Sequence, residues 1–325
     1  MENDIRFGVK LRFLAEYLPA RALGYVLYIF PRRARHILGC ALGRVAFALD
    51  ARHRAVTLNN LDIAFGDSKT PEEKRVLARG TFQHFGSMLF ELFLLEGASQ
   101  RRIDRIVEFG GVEHYERARA TGKGVIVVGA HYGNWELHAI AHGYRFGPFS
   151  VVARALDNPY FNQWLERIRN TSGNRVVYKQ QALTRLLRLL KEGETVGLVV
   201  DQNVSLEDCI FIDFFGKKAA STPVASLLSL KTGAMLVPLF ATPLPDGRYR
   251  CVYDEPIDPR EYSDIDRQLA ARRMTQHCAE VLERYVRRDP EFWLWMHRRW
   301  KTRPKHEQRG GPNATRPPAP SGITA

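Results

Sequence analysis

Two side chains with complementary acid–base chemistry stand five positions apart in the stretch GVIVVGAHYGNWE, residues 124–136: His131 and Glu136. An imidazole with an ordinary pKa of about 6.5 can take a proton from a hydroxyl near neutral pH. A carboxylate beside it fixes the tautomer and stabilises the imidazolium as it forms. On an ideal helix of about 3.6 residues per turn the two would lie roughly 140° apart. The pair therefore works best with His131 in a turn and only Glu136 helical. The spacing alone is unspecific, because ten histidines make about one such match expected by chance.

The surrounding elements make the case stronger. Val125, Ile126, Val127 and Val128 form an apolar β-branched run with no polar alternation, the pattern of a strand buried on both faces of a parallel sheet. Gly129 and Ala130 allow a close turn, and Glu136 to Gly143 reads as a helix stopped by glycine. Such a helix presents unpaired N–H groups to a nearby oxyanion or phosphate. Ser150–Ala153 and the run from Thr195 to Val200 read as further strands, ending at Arg154 and at Asp201-Gln202-Asn203. Three polar strand ends on one sheet edge converge where α/β proteins place their chemistry. A rival reading uses His138 and His142, one helical turn apart, as metal ligands, although the H-E-x-x-H order is absent.

A chain of 325 residues, 45% hydrophobic and 26% charged, is long enough for one large α/β domain plus an appendage. The four cysteines are widely spread and include no C-x-x-C pair, which favours reduced thiols over a disulfide framework or zinc site. Of the +13 net charge, residues 1–54 carry +6 and residues 284–309 another +6. Basic ends around a near-neutral middle suit anionic lipid, an acidic partner protein or nucleic acid. No recognised nucleic-acid motif occurs, and a non-catalytic basic binding protein leaves the three polar strand ends without a reason.

Leu14 to Phe30 is apolar but holds Glu16, Pro19 and Arg21; Pro31 to Arg35 breaks the run, and Ile37 to Leu49 resumes it around Arg44. Neither piece offers about 20 clean apolar residues, so two amphipathic helices lying in the headgroup region are expected, with monotopic attachment. The early acidic residues and missing cleavage pattern argue against a signal peptide. Thr70, Pro71, Glu72 and Glu73 cap a helix running to Leu95, with Phe82, Met88 and Phe93 on its core face. Helices are expected from Phe161 to Thr171, from Ala182 to Lys191, from Ser221 or Thr222 to Lys231, and from Glu261 to Arg288. Strands are expected from Ala234 to Ala241 and from Arg248 to Tyr253, and Phe211 to Lys218 reads as an aromatic loop with a basic edge. Phe292 to Trp300 mixes aromatics and cations, which suits a membrane interface or core packing. The expected organisation is a membrane-associated helical segment (1–54), an α/β domain with a mostly parallel central sheet (55–302) and a disordered basic tail (303–325).

These pieces, in this order, resemble the bacterial lipid A biosynthesis late acyltransferases, the lauroyl/myristoyl transferase family within the lysophospholipid acyltransferase-like superfamily. The resemblance runs from about Phe13 to Pro304. It rests on Asn60-Leu61-x3-Phe65, Gly129-Ala-His131-x-Gly-Asn-Trp-Glu136, Arg154-x3-Asn158, Asp201-Gln202, Phe214-Phe215-Gly216, Thr222 and the closing run from Trp293 to Pro304. It implies transfer of a fatty acyl group from an acyl carrier protein thioester to a hydroxyl of a lipid A precursor, an anionic glycolipid, with acyl coenzyme A as the alternative donor. His131 would be the general base and Glu136 its orienting partner. Arg154 would bind a substrate phosphate or the tetrahedral oxyanion, and Asn158 would belong to the same substrate site. Asp201 and Gln202 would support the histidine or position the acceptor. The resemblance implies no metal or organic cofactor, and a place at the cytoplasmic face of the inner membrane. Family members also acylate other glycolipids, such as mannosides.

Overall fold

The computed structural model describes residues 7–178 and 182–304. It is a mixed α/β structure whose central sheet is mostly parallel and flanked by helices. The helices are α1 (Phe7–Ile29), α2 (Arg32–Leu49), α3 (Ala51–Phe65), α4 (Pro71–Leu95), α5 (Gln100–Ile106), α6 (Val112–Ala120), α7 (Trp135–Phe146), α8 (Pro159–Arg169), α9 (Ala182–Lys191), α10 (Val224–Thr232) and α11 (Arg267–Arg288). The strands are β1 (Val107–Gly110), β2 (Val125–Gly129), β3 (Ser150–Ala153), β4 (Arg175–Tyr178), β5 (Thr195–Val199), β6 (Ile210–Phe214), β7 (Lys217–Ser221), β8 (Met235–Pro243) and β9 (Tyr249–Tyr253). Seven of them form one sheet in the order β1-β9-β8-β2-β5-β3-β4, in which only β8 and β9 pair antiparallel.

The β-branched run explains the centre of this sheet. Val125 and Val127 pack into one apolar layer with Leu137 and Ile140 of α7, while Ile126 and Val128 pack into the opposite layer with Leu186 of α9 and Leu228 of α10. Both faces of β2 are covered, so no polar residue is tolerated on either. Its neighbour β5 is set in parallel register with Gly129 opposite Val199. The residues that follow β2 and β5 therefore leave the sheet side by side on one edge.

The amino-terminal helices pack against this body rather than standing apart from it. The division expected at residues 54 and 55 falls inside α3. Helices α2 and α4 touch backbone to backbone: a Cβ at Gly43 would sit 2.1 Å from the Phe82 carbonyl oxygen, and one at Gly86 would sit 2.3 Å from that of Gly39. The α4 amino terminus carries the expected capping box, with Thr70 N–H donating to Glu73 at 2.7 Å and Glu73 N–H to Thr70 Oγ1 at 3.3 Å. Phe82, Met88, Phe90 and Phe93 of α4 are all core. Among the described residues no helix is long and apolar enough to cross a membrane.

Two local expectations change, one open alternative closes on core packing, and two strands are added. The segment read as an aromatic loop is the hairpin β6–β7, turning on Phe215 and Gly216, both at positive φ (53° and 69°). A two-residue hairpin needs that backbone, but aromatic residues rarely supply it; here burial of Phe215 against Phe65 and Trp295 holds it. The helix expected from Glu261 begins at Arg267, because Asp266 caps it through the N–H groups of Gln268 and Leu269. The closing aromatic segment is core: Trp293, Trp295 and Trp300 are buried, and Arg299 bonds Ala220 O at 2.5 Å and Ser221 Oγ. Strands β1 and β4, at the two sheet edges, were not expected. The tail expected to be disordered from residue 303 lies, from 305 onward, outside the described residues.

The α2–α4 contact yields a test. Gly43→Ala should destabilise the fold by about 1–3 kcal/mol, the usual cost of overpacking, read as a lower denaturation midpoint. An unchanged midpoint would contradict the close approach.

Candidate active site

The site starts from Asp201, a carboxylate that the turn after β5 carries into the interior. Its side chain is 2% exposed. A charge in that position is tolerated only if hydrogen-bonded and paired. Three donors supply this: His131 Nδ1 at 2.8 Å to Oδ1, the His131 backbone N–H at 3.0 Å to Oδ2, and the Trp293 indole N–H at 2.8 Å to Oδ2. Burial pushes the Asp201 pKa up, but the His131 charge and these hydrogen bonds outweigh it, and the net shift is downward. The carboxylate stays ionised and accepts only, so Nδ1 of His131 carries the proton and Nε2 keeps its lone pair.

Nε2 is the open end. The His131 side chain keeps 22% of its surface exposed, and the Gln202 amide nitrogen lies 3.4 Å from Nε2. Burial lowers the His131 pKa, yet the Asp201 charge and hydrogen bond, with the Glu136 charge, overcome it and raise the net value above 6.5. A basic imidazole with one fixed tautomer and one reachable nitrogen is suited to general-base work.

The turn that presents His131 is clamped through its backbone. His131 C=O accepts from Leu294 N–H at 3.0 Å, Gly133 N–H donates to Phe292 C=O at 2.9 Å, and Asn134 N–H donates to Ala241 C=O at 3.1 Å. Gly133 sits at φ +59°, and a Cβ there would lie 1.8 Å from the Ala241 oxygen, so only glycine fits. Asn134 caps α7, its Oδ1 accepting from Leu137 N–H at 3.1 Å. His131 thus lies in the turn and Glu136 in the first turn of the helix.

Glu136 does not reach Nδ1 of His131, which is held by Asp201 instead. Its buried carboxylate receives a two-pronged grip from Arg169 at the end of α8, Nε to Oε2 at 2.9 Å and an amino group to Oε1 at 2.6 Å. Glu136 therefore acts on the imidazole through its charge and locks α8 against α7. Arg154 follows β3, two strands from β2 on the same sheet edge or about 10 Å across. It is 87% exposed, and its closest ion-pair partner is Asp157 at 3.9 Å. Asn158 caps α8, accepting from Tyr160 N–H at 3.0 Å and donating to Phe13 C=O at 3.0 Å and Glu16 at 3.1 Å, which ties α8 to α1.

Three side chains at the site were not singled out from the sequence. Trp293 lay inside the closing motif without a stated role, and it donates to Asp201 from 92 residues away. Arg169 lay in an unremarkable helix end. His297 accepts from Asn203 N–H at 3.0 Å and pins the loop after Gln202. His138 and His142 are buried, with pKa values pulled down by burial to about 4 and about 3. Among the described residues no three His, Cys, Asp or Glu side chains are grouped to hold a metal ion.

The Glu136–Arg169 grip predicts non-additive stability. Arg169→Met alone should cost about 3–5 kcal/mol, because it strands a buried carboxylate. The double change Glu136→Leu with Arg169→Met should lose less than the sum of the two singles in denaturant unfolding. Additive losses would show that the pair has no mutual energy.

The family model described as bacterial lipid A biosynthesis acyltransferase matches residues 6–302. The chain is 29% identical over 310 residues to the Escherichia coli lipid A biosynthesis lauroyltransferase, covering 94% of this chain and 98% of that protein. It is 26% identical over 275 residues to the Escherichia coli lipid A biosynthesis palmitoleoyltransferase, covering 83% and 86%. A Mycobacterium tuberculosis phosphatidylinositol mannoside acyltransferase is 25% identical over 164 residues, 49% of this chain and 52% of that protein. A match across nearly the full length, over a fold that presents a basic histidine at a strand end, establishes that the chain belongs to the bacterial lipid A biosynthesis acyltransferase family and is an O-acyltransferase.

Proposed function

We propose that the enzyme moves a fatty acyl chain from an acyl carrier protein thioester to a hydroxyl of a lipid A precursor, with His131 as general base. The observation that carries this reading is the buried Asp201 bound to Nδ1 of His131 at 2.8 Å, which leaves Nε2 facing out of the turn. Nε2 removes the proton of the acceptor hydroxyl as its oxygen attacks the thioester carbonyl. The tetrahedral adduct collapses with cleavage of the C–S bond, and the imidazolium returns the proton to the departing thiolate. The acceptor is itself the nucleophile, so the reaction needs no covalent enzyme intermediate. Asp201 stabilises the imidazolium between the two proton transfers, and the Glu136 charge adds to it. The Gln202 amide stands where the acceptor hydroxyl must approach, and its 3.4 Å contact with Nε2 is long enough to yield to it.

The surface supports work at a membrane. Among the described residues, most of the exposed large apolar side chains lie between Val9 and Leu49, among them Leu18, Tyr25, Ile29, Ile37 and Leu49. Basic residues of the same segment flank them. We read α1 and α2 as the part that rests in the headgroup layer at the cytoplasmic face of the inner membrane, where an anionic glycolipid and an acidic carrier protein can meet the site.

The test is acyl transfer by purified protein from acyl carrier protein thioesters to a tetra-acyl lipid A precursor, read by mass spectrometry. A gain of one acyl chain is expected, with loss in His131→Ala. Product from an acyl coenzyme A donor or a mannoside acceptor alone would reassign the substrates, and equal product from His131→Ala would sink the mechanism. Only the neutral imidazole accepts a proton, so a raised His131 pKa places the acidic limb of kcat/KM above pH 6.5. Asp201→Asn should cut the rate roughly 10²–10⁴-fold and move that limb to lower pH.

A further inference from the structure

A second cluster of cations, distinct from the His131 turn, surrounds a cavity of about 130 Å³ between α2, α4 and α5. Arg32, Arg35 and His36 reach it from the first turns of α2, at the spacing that places side chains on one helical face. Arg102 reaches it from α5, and Ser87 and Glu91 of α4 complete the polar wall. An engineered cavity of about 150 Å³ in another protein takes benzene, so this one has room for a group of five heavy atoms.

The charges in this cavity do not balance. Arg32 bonds the Gly247 carbonyl and approaches Glu91 at 3.8 Å. Arg35 bonds the carbonyl of Phe30, but its Nε is buried with no hydrogen-bond partner. Arg102 donates its backbone N–H to Ser99 C=O at 2.9 Å, but among the described residues its guanidinium has no hydrogen-bond or ion-pair partner. Burial and the like charges of Arg102 and Arg32 lower the Arg35 pKa. The single carboxylate, Glu91, is already held by Tyr249 and by Asn134 at 3.2 Å, and burial raises its pKa. Three guanidiniums against one carboxylate leave an excess of at least two positive charges. A buried, unsatisfied guanidinium edge is costly unless an anion completes it.

We infer that the cavity walled by Arg32, Arg35 and Arg102 binds a phosphomonoester group. A dianion matches the excess charge, whereas a carboxylate supplies half of it, and the guanidinium fork fits phosphate oxygens two at a time. The cavity lies beside the α1–α2 elbow, since Arg32, Arg35 and His36 line it, and there Ile29 is 83% and Ile37 65% exposed. A lipid could seat its headgroup phosphate here with its chains along that apolar elbow; free phosphate offers the same chemistry. Asn134 is common to this cavity and the catalytic turn, since it caps α7 and donates to Glu91.

The experiment uses the full chain in neutral detergent and reads binding rather than turnover, so it stands apart from the acyl-transfer assay. Inorganic phosphate is titrated calorimetrically at fixed chloride. Separately, co-sedimentation is measured with phosphatidylcholine vesicles with and without phosphatidic acid. Wild type should bind in at least one arm, and Arg102→Gln should weaken that binding about tenfold or more, as loss of one charge-assisted hydrogen bond does. Arg35→Gln should do the same. Arg101→Gln, which removes an exposed charge one residue away, should leave binding unchanged. A response in both arms assigns the phosphate group itself; a response to phosphatidic acid alone assigns a lipid headgroup. No binding in either arm, or equal weakening by Arg101→Gln, would overturn the site.

Discussion

The buried carboxylate of Asp201 is the constraint around which this site is arranged. A charge that deep needs every acceptor position satisfied, and the three donors that satisfy it come from distant parts of the chain. Two belong to His131, side chain and backbone, and so fix both the position and the tautomer of the imidazole. The third is the indole of Trp293, which brings the carboxyl-terminal segment over the turn. One requirement, that a charge not be buried alone, thus joins β2, β5 and the closing aromatic run at one point. The chemistry inherits its geometry from that requirement, since a protonated Nδ1 leaves Nε2 as the only basic nitrogen.

The supporting structure serves the same end. Parallel pairing of β2 with β5 delivers the turn and Asp201 to one edge, and the clamps from Phe292, Leu294 and Ala241 leave the backbone at His131 no freedom to drift. Glu136 and Arg169 then hold α8 to α7, and Asn158 holds α8 to α1. Through these contacts the amino-terminal helices, which carry the exposed apolar surface and much of the arginine-lined cavity, are mechanically continuous with the His131 turn.

Much of this arrangement can be read from local patterns. The β-branched run before His131 identifies the buried strand, and the polar residues directly after Ala153 and Val200 identify the sheet edge, because burial on two faces admits no other composition. The partner of the histidine is different. Glu136 is near in sequence and acidic, whereas Asp201 arrives from 70 residues away through strand pairing, and no spacing rule separates them. Arg169 is invisible for the same reason, as is the use of Trp293. Edge strands β1 and β4 carry charged or glycine residues such as Glu108, Gly110 and Arg175, so no apolar period marks them. The turn at Phe215 defeats residue preference because tertiary burial, not local conformation, selects that aromatic side chain.

Asp201 sets the protonation of His131, and everything proposed for the site depends on that. Nitrogen-15 NMR of the imidazole across a pH titration, in wild type and Asp201→Asn, measures it directly. A neutral form protonated at Nδ1 and a midpoint above 6.5 are expected in wild type, with a lower midpoint in Asp201→Asn. A neutral form protonated at Nε2, or a midpoint that does not respond to Asp201→Asn, would contradict it.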